Sequence, residues 1–133
     1  MDAGPMVALF DPADDQHKRY TELLAREAGG FRLCTTWPCI VEATHLLDAA
    51  ASRALLRWVA RGGVQVFPFE APQLAVMVQM MEKYSEPRRT RMDLADASLV
   101  WLAGKTRISA VMTVDVRDFS RYRLPNGRAF EII

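Results

Sequence analysis

The chain has 133 residues, 50% of them apolar and 25% charged, the balance of a globular domain with room for one hydrophobic core. Seventeen basic and 16 acidic residues leave a formal charge of +1, so polyelectrolyte character is excluded and any nucleic-acid binding must come from local patches. No apolar run reaches bilayer length, no secretory signal opens the chain, and Cys34 and Cys39 alone do not make a disulfide framework. A single domain over residues 1–133 in a reducing cytoplasm is therefore the expectation.

In chain order, Pro5 predicts a short helical turn over 5–10. Asp14 and Asp15 open a helix through Ala28, with Tyr20, Leu23 and Leu24 on one face and Gly29-Gly30 as the stop. FRLCTT (31–36) reads as a strand, and Thr36 with Trp37-Pro38 caps a helix to about Ala50. Ser52 is the expected cap of the next helix, which ends at Gly62-Gly63. VQVFPF (64–69) is a second strand, and Leu74, Met77, Val78 and Met81 form a helical stripe between Ala71 and Tyr84. SEPRRTR (85–91) is a basic loop. A helix over 92–104, a buried strand over 108–115 and a final turn and strand over 126–133 complete the chain. Strands separated by helices imply a parallel sheet covered on both faces, with its sites at the carboxyl ends of the strands.

Five acidic residues fall at such ends: Asp2, Glu42, Asp93, Asp96 and Asp115. Each stands among small or apolar neighbours, where a carboxylate is costly unless a cation or several hydrogen bonds compensate it. Asp93 and Asp96 are three apart, on one helix face and in the first turn, where the helix dipole favours negative charge. Converging carboxylates suit a hard divalent cation.

The segments DAGPMVALFD, TTWPCIVEATHLL, MDLADASLVWLA and MTVDVRDFSRYRL, in that order, resemble the PIN-domain ribonucleases, in particular the VapC-like toxins of toxin–antitoxin pairs. The resemblance spans nearly the whole chain. It implies a three-layer α/β/α fold with a central, mainly parallel sheet and an acidic pocket that binds Mg²⁺ or Mn²⁺. It also implies a metal-dependent endoribonuclease, RNA as substrate, a cognate antitoxin and a homodimer. Asp2, Glu42, Asp96 and Asp115 match the family's four acids as catalytic and metal-binding residues. Asp93 matches a further metal-site position. Asp118 matches a secondary acidic one, and Thr113 the hydroxyl that supports the fourth aspartate.

One departure stands out. The family's first aspartate ends a strand of several apolar residues, whereas here only Met1 precedes Asp2, so the first strand reads as truncated. Two readings follow: a true start upstream of Met1, or a shortened chain with a loosely held Asp2. The second supplies the alternative function, an impaired PIN relative that binds RNA or antitoxin without cutting.

Around the acids, Arg88, Arg89 and Arg91 are candidate RNA-phosphate contacts, with Arg121, Arg123 and Arg128 as a second set. Asp118 reads equally as the cap of the short DFSRY turn. His17 is expected to face solvent, and Trp58 is a candidate antitoxin contact through an exposed apolar surface.

Overall fold

The computed structural model describes residues 1–27, 29–30, 32–85 and 91–133. Helix α1 (Ala3–Phe10) is capped by Asp2, whose side chain accepts from the Ala3 amide, so it begins two residues before the expected start at Pro5. Helix α2 (His17–Arg26) starts later than expected. Asp14 spends its side chain on the Gln16 amide, at 2.7 Å, in a turn that precedes the helix. The His17 ring also departs from expectation: its Nδ1 lies 2.7 Å from the Ala8 carbonyl and ties α2 to α1.

Strand β1 (Cys34–Thr36) leads directly into α3 (Trp37–Leu46), which has Pro38 in its first turn. This helix stops short of Ala50 because Asp48 caps α4 (Ala49–Ala60), accepting from the Ala50 and Ala51 amides. Asp48, not Ser52, is thus the cap: its carboxylate bonds two amides that would otherwise be unpaired. Strand β2 (Gln65–Phe67) follows, then α5 (Ala71–Tyr84) behind a reciprocal cap between Glu70 and Gln73. Helix α6 (Leu94–Thr106) is the central one. Ala95, Ala97, Ser98, Leu99, Val100, Leu102 and Ala103 are all buried, as expected of a helix packed on more than one face. Strand β3 (Ala110–Val111), the one-turn helix α7 (Val116–Phe119) and β4 (Glu131–Ile132) end the chain.

Both strand pairs are parallel, as expected. β1 pairs β2 with Thr35 opposite Val66, and β3 pairs β4 with Val111 opposite Ile132. Among the described residues the sheet is nevertheless two two-stranded pieces and not one ladder. Met1 and Asp2 run between them. The Met1 ammonium donates to the Cys34 carbonyl at 2.6 Å, and Thr35 Oγ1 donates to the Met1 carbonyl at 2.8 Å. The Asp2 amide donates to the Met112 carbonyl at 2.9 Å. Through these bonds Met1 and Asp2 join the two pieces. Helices α1, α3 and α4 pack together, α5 packs on α6, and α6 lies against both β1 and α3, giving the expected α/β/α architecture. Among the described residues no helix is long and apolar enough to cross a membrane.

Candidate active site

The acids gather where β1 and β3 end and where α1, α6 and α7 begin. Asp2 is the innermost, only 8% exposed, yet it is not loosely held. Its Oδ1 accepts from the Ala3 amide and its Oδ2 from the Thr113 hydroxyl, both at 2.7 Å. Thr113 is fully buried and works in two directions, because its Oγ1 also accepts from the Asp115 amide at 3.0 Å. Tyr20 donates its hydroxyl to the Thr113 carbonyl at 2.9 Å and pins the same turn from α2. Thr113 therefore supports the first aspartate through its side-chain donor and the fourth through its acceptor.

Asp93 and Asp96 sit at the start of α6. Asp93 is its cap, accepting from the Asp96 amide at 2.9 Å, and is exposed. Asp96 is half-buried, and the Tyr122 hydroxyl donates to its Oδ2 at 2.9 Å. Asp115 is exposed and caps α7 by accepting from the Asp118 amide at 3.0 Å. This corrects the expectation for Asp118, which is not the cap. It is 3% exposed and turned inward, 3.4 Å from the Arg121 guanidinium. Glu42 lies half-buried on α3. A buried hydroxyl pair, Thr36 Oγ1 to Ser98 Oγ at 2.5 Å, joins the start of α3 to α6 and fixes the two helices that carry Glu42 and Asp96.

The acids share one electrostatic neighbourhood. Burial pushes the Asp96 carboxyl up to about 7; the Tyr122 hydrogen bond works against that shift, and the charges of Asp93, Asp2 and Asp115 add to it. Burial also raises Asp2, opposed by Thr113 and the Ala3 amide and reinforced by Asp93. Glu42 is raised by burial, then by Asp93 and Asp2. An all-oxygen donor set of this charge has the chemistry of a hard-cation site. As placed, however, no three His, Cys, Asp or Glu side chains among the described residues are near enough to hold an ion together. The acids are brought into one field but not into a closed ligand shell.

Beside them lies an apolar groove of about 1060 Å³, lined by Trp37, Val41, Leu46 and Leu56, with Glu42 and Asp93 on its wall. Trp37 is 51% exposed and Val41 64%. Trp58 is elsewhere: it is half-buried, 5.6 Å from the Phe10 ring, and it is not an exposed contact.

A sequence profile described as PIN domain matches residues 1–124. The chain belongs to the PIN domain family. It is also similar to Ribonuclease VapC26 of Mycobacterium tuberculosis, with 28% identity over 138 residues that span all of this chain and 98% of the relative. Both findings bear out the VapC-like PIN resemblance.

Of the basic candidates in this PIN domain, Arg88 and Arg89 lie outside the described residues, and Arg91 is exposed two positions before Asp93. In the second set, Arg121 pairs with Asp118, and Arg123 donates to the Ser120 and Tyr122 carbonyls. Sequence reasoning missed Tyr122 and Tyr20. For Tyr20 the available signal was its place on one helix face with Leu23 and Leu24, because a buried phenol needs a partner; Tyr122, between Arg121 and Arg123, carried no such signal.

Proposed function

We propose that this PIN domain is an Mg²⁺- or Mn²⁺-dependent endoribonuclease and the toxin of a toxin–antitoxin pair, held in check by a cognate antitoxin. The observation that carries the reading is the convergence of Asp2, Glu42, Asp96 and Asp115, with Asp93, into one like-charged field at the strand ends. Similarity along the whole chain to a protein named as a ribonuclease supports RNA as the substrate.

A divalent ion held by these acids would neutralise the phosphodiester and lower the pKa of its bound water. The chain's own residues supply the rest. Thr113 and the Ala3 amide hold the Asp2 carboxylate through both oxygens. The Thr36–Ser98 pair fixes the separation of Glu42 from Asp96, and exposed Arg91 is available to an RNA phosphate. The alternative, an impaired relative that binds without cutting, required a poorly held Asp2; a buried carboxylate bonded at both oxygens favours the nuclease.

The apolar groove with acids on its wall suits an amphipathic antitoxin segment that inserts apolar side chains and brings a basic one to Glu42 and Asp93. A homodimer is part of the same proposal. Leu74, Val76 and Val78 leave apolar surface exposed along α5, which such a contact would cover.

The test is cleavage of total small RNA by the purified chain beside Asp96→Asn, with Mg²⁺ or Mn²⁺ and again with chelator. Discrete cuts lost in both the variant and the chelated reaction are expected. No cleavage by the parent chain with either metal would favour the binding module instead.

A further inference from the structure

Tyr122 has no role in the reading above, and its hydroxyl calls for one. The ring is 1% exposed and sits edge-on to two others, Phe119 at 5.2 Å and Tyr84 at 5.1 Å. A phenylalanine would satisfy that packing equally well. The backbone on each side is also clamped. The Tyr122 amide donates to the Asp118 carbonyl at 3.2 Å, and the Arg123 amide donates to the Tyr84 hydroxyl at 3.1 Å. The phenol is thus a rigidly mounted donor, and it is aimed at a carboxylate of the acidic site.

Asp96 needs such a donor. Asp93, Asp2 and Asp115 all repel it, and an untethered carboxylate among like charges would turn toward solvent. A carboxylate only accepts hydrogen bonds, and one from a hydroxyl to an ionised acceptor is roughly twice as strong as a neutral one. The bond engages Oδ2 alone; among the described residues no donor is bonded to Oδ1. The segment after β3 therefore supplies one acid, Asp115, and orients another, Asp96, contributed by α6.

We propose that Tyr122 is the positioning residue of the site, its hydroxyl holding the Asp96 carboxylate among its repelling neighbours with Oδ1 open to a divalent cation. The role rests on the metal-dependent reading above. It makes Tyr122 a partner of a ligand and not a ligand, so its loss weakens metal binding without removing a donor atom from the site.

The experiment compares the parent chain, Tyr122→Phe and Tyr84→Phe by Mn²⁺ binding, followed by electron paramagnetic resonance, with thermal melts beside it. Tyr84→Phe keeps the aromatic stack and the acids but frees the Arg123 amide, so it measures the clamp apart from the bond to Asp96. Tyr122→Phe is expected to bind Mn²⁺ about 10- to 100-fold more weakly, the usual cost of losing a group that orients a metal ligand. Its cleavage rate is expected to recover at high Mn²⁺, and Tyr84→Phe, which keeps the Tyr122 bond to Asp96, is expected to lose much less affinity than Tyr122→Phe. Unchanged Mn²⁺ affinity in Tyr122→Phe overturns the role, as does an equal loss in Tyr84→Phe. A parent chain that binds no Mn²⁺ overturns the metal-dependent reading itself, and this role with it.

Should Tyr122→Phe fail to fold, the parent labelled with 3-fluorotyrosine at its three tyrosines decides the matter. Mg²⁺ must then shift the Tyr122 resonance and leave that of Tyr84 in place. A Tyr122 signal indifferent to Mg²⁺ overturns the proposal.

Discussion

The two walls of the site are built differently. The inner wall, Asp2 with Thr113 and Asp96 with Tyr122, is buried or half-buried and hydrogen-bonded side chain to side chain. The outer wall, Glu42 and Asp93 with Trp37 and Val41, is open and largely apolar. An ordered polar wall fixes a few atoms closely, as chemistry requires. An exposed apolar wall gains most by being covered, as recognition requires. The difference predicts that neighbouring acids on the two walls do unequal work.

The largest expected effect breaks the inner wall. Asp2→Asn should lower RNA cleavage by about a hundredfold or more, the scale of losing a central electrostatic group. Asp93→Asn, on the outer wall, should cost less than about tenfold in the same assay, because its bond to the Asp96 amide survives in the amide form. Equal losses in the two variants would erase the distinction between the walls.

Thr113→Val tests the inner wall by stability. It strips the buried Asp2 carboxylate and the part-buried Asp115 amide of their shared partner, so urea denaturation should show a loss of about 2 kcal/mol. A change within experimental error would mean that the network does not stabilise the fold. On the outer wall, Trp37→Ala should weaken antitoxin affinity by about 2 kcal/mol, the scale of an aromatic anchor. Trp58→Ala should leave that affinity unchanged while lowering the melting temperature, because Trp58 packs on Phe10. Titration calorimetry and melts of both variants separate these outcomes.

The smallest expected effect is a pH dependence. Asp96 is raised from 3.8 to about 7 in the fold, so the folded state holds its proton more tightly than the unfolded chain does. The stability this provides is full below 3.8 and is lost as pH rises through about 7. Asp2 and Glu42 are shifted in the same direction. The metal-free chain should therefore melt lower at pH 8 than at pH 5. Stabilisation by added Mn²⁺ should run the other way and grow with pH, because ligands must be deprotonated. A melting temperature that rises with pH in chelator would contradict the raised carboxyls.

Much of this was readable in the chain. Helix α6 announced itself through MDLADASLVWLA, and the parallel pairing followed from strands alternating with helices. The five acids, which the fold brings into one field, stood out because carboxylates among apolar residues at element ends are rare without a purpose. Caps were less legible: Asp48 displaced Ser52 and shortened α3, and Asp115 took the place expected of Asp118. Several residues in each stretch could cap, and local sequence does not decide which one the backbone will use.

The sequence by itself determined the family, the order of elements and the identity of the acids, because those depend on spacing and residue type along the chain. The tertiary structure decided how the acids are held. Asp2 is secured by a threonine 111 residues away, and Asp96 by a tyrosine 26 residues away. Partners so distant meet only when β3 and its following turn pack against the start of α1 and α6. No local period or propensity encodes that meeting, because it is a property of the folded core.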